Sequence, residues 1–169
     1  MAWPAGYEPG GMTTYTARPI TAPVLKELRA LDDAGRPPVP RTDEEGGAPL
    51  RCCLRRSEPG ESIALVSYAP LRRWAAQTGA DPGAYDEQGP VFLHAEECAG
   101  PQGDALPFTR AHRVLRRYSA DGRILGGRLV EAPEDFAPAL TEAFADPGVA
   151  LVHVRAVEYG CFLYEVRRV

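Results

Sequence analysis

The C-terminal stretch VALVHVRAVEYGCFLYEVRRV, residues 149–169, has two runs rich in β-branched and aromatic residues on either side of Glu158-Tyr159-Gly160. This pattern is typical of two antiparallel strands joined by a tight turn. Side chains alternate between the two faces of a strand. We therefore expect a C-terminal β-hairpin whose buried face is formed by Ala150, Val152, Val154 and Ala156 together with Phe162, Tyr164 and Val166.

The opposite face of this hairpin is polar. It carries His153 and Arg155 on the first strand and Cys161, Glu165 and Arg167 on the second. If the strands pair in register, these groups converge on one surface. Polar groups in strands that otherwise favour burial indicate a binding or catalytic surface.

Periodic patterns upstream of the hairpin predict further elements. Helical spacing follows Thr21 and recurs over 134–145, and a shorter helix is expected over 70–77. The strand-like runs are 13–20, 62–68, 90–95, 112–118 and 123–131. The order of elements predicts an α+β fold: a single domain with an antiparallel or mixed sheet, two main helices and the C-terminal β-hairpin.

The chain of 169 residues has the length of one domain. Residues 1–12 lack periodicity and are expected to form a flexible extension, with Met12 an alternative start, so that 13–169 make up the single α+β domain. Residues 36–49 contain four prolines and two adjacent glycines. We expect this segment to be a long surface loop, either mobile or functional.

Charge and composition restrict the partners of the chain. The net charge is -4 and the pI is near 5.4, which disfavours binding to nucleic acid or an anionic membrane. No run approaches the ~20 apolar residues of a membrane span, and the N-terminus lacks a signal-peptide pattern. These features predict a cytoplasmic protein with reduced cysteines. A homodimer is the default expectation for its size.

Thiols and imidazoles are the first candidates for chemistry. His94 and Cys98 lie four residues apart after a predicted strand, and Cys53 and Cys161 can complete a Cys₃His set that suits zinc. Alternatively, a cysteine acts as a nucleophile with His94 or His153 as its base, or Cys53 and Cys98 form a disulfide. The cysteines can also be small buried side chains. The candidate catalytic residues are His94, Cys98, Cys161 and His153.

Arginines are the second resource, because a guanidinium group binds a carboxylate or phosphate with two parallel hydrogen bonds. Arg155 stands out because it shares a strand face with His153 in an otherwise apolar strand. Arg51, Arg117 and Tyr118 are further candidates for ligand binding. For most strand arginines, however, a solvated face is the simpler interpretation.

Several short motifs follow one another in a characteristic order: Arg51-Cys52-Cys53-Leu54, Glu58-Pro59-Gly60-Glu61, Ser67-Tyr68-Ala69-Pro70, Gly89 to His94 with Cys98, Arg117-Tyr118, His153-Val154-Arg155 and Gly160-Cys161-Phe162. Over residues 13–168 the chain resembles the bacterial family designated domain of unknown function 1203. The resemblance implies a compact, stand-alone protein and places Cys53, His94, Cys98, Arg155 and Cys161 in the family pattern. It implies no established activity. Leu50 departs from the pattern, in which a cysteine often precedes the arginine.

The leading functional hypothesis is a small-molecule enzyme or ligand-processing domain acting on an anionic substrate. In this hypothesis the imidazole of His94, the guanidinium of Arg155 and the cysteine sulfurs meet in one pocket. The alternative is a non-catalytic interaction or ligand-binding module with structural cysteines, held by a disulfide or zinc. In that alternative the 36–49 loop contacts a protein partner.

Overall fold

Two five-stranded sheets and three α-helices form residues 15–169, the part of the chain that the computed structural model describes. The strands are β1 (Tyr15–Arg18), β2 (Arg41–Asp43), β3 (Pro49–Leu50), β4 (Arg55–Arg56), β5 (Glu61–Tyr68), β6 (Gly89–His94), β7 (Arg113–Tyr118), β8 (Ile124–Val130), β9 (Leu151–Ala156) and β10 (Phe162–Arg168). The helices are α1 (Ala22–Ala30), α2 (Pro70–Thr78) and α3 (Phe136–Ala145). The α+β class and the C-terminal β-hairpin are confirmed.

Some expectations differ from the structure or lie outside it. The predicted extension and the first two residues of the predicted strand over 13–20 lie outside the described residues. The helix predicted to be minor, α2, is as long as α1, at nine residues each. None of the helices between residues 15 and 169 has the length and hydrophobicity to cross a membrane.

The first sheet has the strand order β1-β10-β9-β7-β8 and is antiparallel throughout. Helix α3 covers one of its faces, where Phe136 and Leu140 pack among Val152, Val154 and Val166. Burial of each such side chain contributes about 1.5–3 kcal/mol to folding. The apolar period-two pattern of β9 and β10 therefore forms a buried face, as the sequence predicts.

Phe162 does not belong to that buried face, contrary to the sequence pattern. The pairing of β10 with β9 shifts between Phe162 and Tyr164, so that Phe162 lies opposite Arg155 while Tyr164 lies opposite Val154. A β-bulge of this kind adds one residue and reverses the alternation on one side of it. Phe162 consequently packs on the other face, with its ring centroid 4.9 Å from that of His153.

The second sheet has the order β2-β5-β6-β3-β4. Strand β3 runs parallel to β6 and the other pairs are antiparallel, so this sheet is mixed. The expectation of a long surface loop over 36–49 is wrong in part, because β2 and the start of β3 lie there. Both strands are too short for an alternating pattern; they form because β5 and β6 offer them backbone hydrogen bonds.

Strand β6 and Arg51 both lie where the second sheet meets the first. Gly89 and Pro90 begin β6 beside the polar face of the first sheet, and His94 ends it at the opposite extremity of the strand. Arg51 is buried and donates from Nε and Nη2 to the carbonyl of Phe162, at 2.8 and 2.6 Å. Burial lowers the pKa of Arg51 to about 10.

Candidate functional site

A tight turn over 51–54 brings two consecutive cysteines to one side of the chain. Leu54 N–H donates to the Leu50 carbonyl at 2.9 Å, and Leu54 has a positive φ of 57°. In a strand, neighbouring side chains would point to opposite faces. Here the sulfurs of Cys52 and Cys53 lie 3.9 Å apart, and both side chains are buried.

Parallel pairing of β3 with β6 places this turn against His94. Arg51 N–H donates to the Phe92 carbonyl at 3.0 Å, and His94 N–H donates to Cys52 Sγ at 3.3 Å. The imidazole then lies over both thiols, with Nδ1 at 3.4 Å from Cys52 Sγ and 3.7 Å from Cys53 Sγ.

Cys98 completes the group after the chain bends away from the end of β6. One nitrogen and three sulfur atoms all lie within 4.8 Å of one another. We call Cys52, Cys53, His94 and Cys98 the cysteine cluster. All four cysteines of the chain are free thiols.

Glu61 and Arg55 hold the far side of the imidazole. Glu61 Oε1 lies 3.1 Å from His94 Nε2, and Arg55 pairs with both carboxylate oxygens of Glu61 at 2.6 and 3.0 Å. The hydrogen bond from Arg55 keeps the pKa of Glu61 far below its usual range. Arg55 Nη2 also lies 3.2 Å from His94 Nε2. In the tautomer that carries its proton on Nε2, His94 donates to Glu61 and its Nδ1 lone pair faces the sulfurs.

The thiols in the cluster are electrostatically unequal. The hydrogen bond that Cys52 donates to Cys53 raises the pKa of Cys52 above its ordinary value, with burial adding to the effect, and lowers the pKa of Cys53. Burial raises the pKa of Cys98. Cys53 is therefore the first of these thiols to ionise.

The cluster borders a cavity of about 440 Å³. Its lining includes Cys53, His94, Cys98 and Arg55, and the segment 99–105 forms much of the opposite wall. The sulfurs are thus partly shielded by protein while one side of the group faces a space open to solvent.

A second cavity, of about 210 Å³, lies at the opposite end of β6. We call it the arginine cavity; its lining includes Arg155, His153, Tyr118, Glu87, Cys161, Phe162, Tyr68 and Leu71. His153 is 0% exposed and its Nε2 lies 3.0 Å from Glu165 Oε2. Across residues 15–169, no described group hydrogen-bonds to its Nδ1.

Charge in the arginine cavity is centred on one carboxylate. Glu87 Oε1 accepts from Arg116 Nη1 at 2.9 Å, and Glu87 Oε2 lies 3.2 Å from Arg155 Nη2. Arg155 also donates from Nε to the Gly160 carbonyl at 2.9 Å. Burial, followed by repulsion from Arg116, lowers the pKa of Arg155.

The structure divides the predicted pocket into two. Cys53, His94 and Cys98 come together, whereas His153, Arg155, Tyr118 and Cys161 line the arginine cavity. No described residue lines both cavities, so the expectation of a single hollow is wrong. The bulge and the path of β6 place the sulfur of Cys161 with the arginines. Cys52 takes its place in the cluster.

The remaining predicted ligand-binding residues lie elsewhere. Arg117 is on the α3 side of β7 and lines a groove with Glu142, because it alternates with Arg116 along the strand. Arg51 binds backbone carbonyls between the sheets rather than a cavity.

Sequence reasoning missed Cys52, Glu61, Arg55 and Glu87. The adjacent pair Cys52-Cys53 was a signal, provided that a turn rather than a strand is expected there. Glu61 was visible only as part of a turn motif. Glu87 lies in a loop segment whose sequence shows no periodicity, so nothing in the sequence connects it to Arg155.

Fold and site together define an α+β protein with a Cys₃His cluster and a separate arginine cavity. A family model described as "Protein of unknown function (DUF1203)" matches residues 47–168. The match covers most of the 169-residue chain, and the protein belongs to this family. The matched region contains both sites. No curated protein and no solved structure matches the chain.

Proposed function

We propose that the protein binds one Zn²⁺ ion through Cys52, Cys53, His94 and Cys98. The observation that carries this proposal is the spacing of the ligand atoms. A tetrahedral site with Zn–S of about 2.3 Å and Zn–N of about 2.0 Å has edges of roughly 3.5–3.8 Å. Three edges of the cluster measure 3.4, 3.7 and 3.9 Å.

The kind of ligand favours zinc over harder cations. Thiolate and imidazole ligands select zinc and other soft metals, while magnesium and calcium take oxygen ligands. Glu61 supports the same conclusion, because a metal-binding imidazole usually donates its second N–H to a carboxylate. Arg55 fixes that carboxylate in turn with two hydrogen bonds.

Four protein ligands leave no open position on a tetrahedral ion, which is the property of a structural site. Such an ion would join the 51–54 turn, the end of β6 and the segment that carries Cys98. In this role the zinc stabilises the wall of the 440 Å³ cavity.

A second candidate for the same group is a reactive thiol. Its support is the lowered pKa of Cys53, which results from the hydrogen bond donated by Cys52, and the position of Cys53 beside the cavity. A thiolate near an imidazole is the arrangement of a nucleophile and its base. In this alternative the metal-free protein is the active form.

A small-molecule enzyme or ligand-processing domain that takes up an anionic substrate is the broader candidate function. Its support is the arginine cavity, in which the guanidinium group of Arg155 and a buried imidazole meet apolar walls, while Arg116 pairs with the lining residue Glu87. This site is separate from the cysteine cluster and is tested separately.

Metal content and thiol accessibility test the zinc proposal. The full-length protein, purified without added zinc and dialysed, should retain about one Zn²⁺ per chain by elemental analysis. Cys53→Ser and Cys98→Ser should each lose it, because a missing thiolate opens the ligand set. Cys161→Ser is the matched control and should keep full occupancy.

Alkylation by iodoacetamide separates the two candidates at the cluster. The zinc proposal expects Cys161 alone to react rapidly until a chelator is added, after which the cluster thiols react as well. Loss of zinc from Cys161→Ser to the same degree as from Cys98→Ser contradicts it. Rapid labelling of Cys53 that is independent of zinc and chelator also contradicts it and supports the nucleophile.

A further inference from the structure

The arginine cavity combines apolar walls with buried positive charge. Tyr68, Leu71 and Phe162 contribute apolar surface, while the side chain of Arg155 is only 15% exposed. His153 lies fully buried in the same lining, with its Nδ1 unpartnered among residues 15–169. A buried polar atom without a hydrogen-bond partner costs free energy.

The charges nearest the cavity do not cancel. Arg116 and Arg155 share the single carboxylate of Glu87, which leaves a net positive charge at the opening. Glu165 does not restore the balance, because it already pairs with Arg167 and His153. A cavity with this charge attracts an anion.

Glu87 occupies the position that such an anion would take. Its two oxygens are divided between the two arginines, as those of a bound carboxylate would be. Yet its side chain is 45% exposed and comes from the segment between a short 3₁₀ turn and β6. Among residues 15–169, the polar partners of this carboxylate are Arg116 and Arg155, the charges that a ligand would also use.

The backbone beside Glu87 is anchored independently. Arg72 of α2 contacts the side chains of both neighbours, Asp86 at 3.2 Å and Gln88 at 3.5 Å. Removal of the Glu87 carboxylate from the arginines therefore requires rotation of one side chain and no movement of the loop.

We propose that Glu87 is an internal occupant of a carboxylate-binding site and that a small carboxylate with an apolar body replaces it. This inference rests on the candidate function of taking up an anionic small molecule. The size agrees, because a cavity of ~150 Å³ accepts benzene and this one measures about 210 Å³. The ligand carboxylate then binds Arg155 and Arg116, and its apolar part contacts Phe162 and Leu71.

Titration with benzoate tests the proposal, with benzamide as the neutral analogue and inorganic phosphate as the competing anion. The amide signals of Gly89 and Gly160 in ¹H–¹⁵N spectra of the full-length protein report binding at this cavity. Benzoate should shift them saturably and benzamide should not. Glu87→Gln should bind benzoate about tenfold more tightly, because the competing charge is gone. Arg155→Gln should bind it at least about tenfold more weakly.

Glu142→Gln and Arg128→Gln are matched controls, since these residues pair with each other at the surface of the α3 side, and both should leave the affinity unchanged. If Glu87→Gln and the wild type bind benzoate with equal affinity, Glu87 does not compete for the site, and only the proposal of an anion-binding site remains. Saturable binding of phosphate without benzoate overturns the carboxylate class. Absence of any saturable binding, or equal binding of benzamide, overturns both the inference and the candidate function.

Discussion

The two ends of strand β6 present opposite chemistry. At the His94 end, three thiols and an imidazole lie within 4.8 Å of one another, supported by an ionised glutamate. At the Gly89 end, two arginines share one half-exposed carboxylate next to a fully buried histidine. One group of side chains is suited to a cation and the other to an anion.

The comparison shows that residue type alone does not indicate what a site binds. The hydrogen-bond and ion-pair partners of each polar side chain must also be considered. Both ends contain histidine and cysteine. At the cluster, His94 has Glu61 on Nε2 and thiols beside Nδ1, an orientation that suits the proposed zinc site. In the arginine cavity, His153 has Glu165 on Nε2, and Cys161 contributes lining beside Arg155, which shares one carboxylate with Arg116.

Arg51 is the side chain through which the two ends are mechanically connected, and its loss should have the largest effect on stability. It precedes Cys52 in the turn and donates to the Phe162 carbonyl beside the arginine cavity. Arg51→Met removes the two hydrogen bonds to that carbonyl and the one to the Pro49 carbonyl. We expect a loss of about 2–4 kcal/mol in the free energy of unfolding, measured by urea denaturation.

Arg110→Met is the control for Arg51→Met, because Arg110 is exposed and should tolerate replacement within about 0.5 kcal/mol. A loss no greater for Arg51→Met than for this control would mean that the two ends are independent, and that Arg51 does not join them.

Glu61→Gln sharpens the comparison at the cluster end. The amide cannot accept the Nε2 proton of His94 with the charge of a carboxylate, so the imidazole is a weaker and less fixed ligand. Zinc affinity should fall about 10- to 100-fold, measured by competition with a chromophoric chelator. Glu142→Gln, which alters a surface glutamate, should leave the affinity unchanged; an equal fall in that variant would show a general charge effect.

The pH dependence of stability tests the cavity end. Burial, which outweighs the hydrogen bond to Glu165, lowers the pKa of His153 below its ordinary value of 6.5. Just below pH 6.5, His153 is therefore protonated to a greater extent in the unfolded state than in the folded state. The contribution of His153 to stability is complete above pH 6.5 and is lost as the pH falls, with a slope of at most about 1.4 kcal/mol per pH unit.

His153→Gln should remove this part of the slope in urea denaturation between pH 7 and pH 5, whereas His112→Gln, at an exposed histidine, should not. The absolute stability of His153→Gln is expected to be lower at pH 7, so the slope is the deciding quantity. An unchanged slope in His153→Gln would mean that the imidazole is solvated, contrary to its burial.

Local patterns in the sequence were sufficient for most of the hairpin. Period two along β9 and β10 assigned Val152, Val154, Tyr164 and Val166 to one buried face, because alternation depends only on the strand itself. Phe162 does not follow this alternation, because the bulge places it on the other face. Its position depends on packing against His153 and Tyr68, which a single strand pattern does not contain.

The sites depended still more on distant parts of the chain. The motif with His94 and Cys98 was visible, and so was Cys53, but the arrangement of Cys52 depends on the 51–54 turn and its positive φ at Leu54. Glu87 reaches the arginines only because β6 brings its loop to the first sheet. Side-chain partners separated by this much sequence are set by tertiary packing, and composition gives no sign of them.

X-ray absorption at the zinc edge of the full-length protein, loaded with one equivalent of Zn²⁺, tests the central claim most directly. The cluster predicts a first shell of three sulfur atoms at about 2.3 Å and one nitrogen at about 2.0 Å. Cys98→Ser should reduce the sulfur count by one, and Cys161→Ser should leave the spectrum unchanged. A first shell of nitrogen and oxygen without sulfur, or a sulfur count that falls in Cys161→Ser, would contradict a zinc centre formed by Cys52, Cys53, His94 and Cys98.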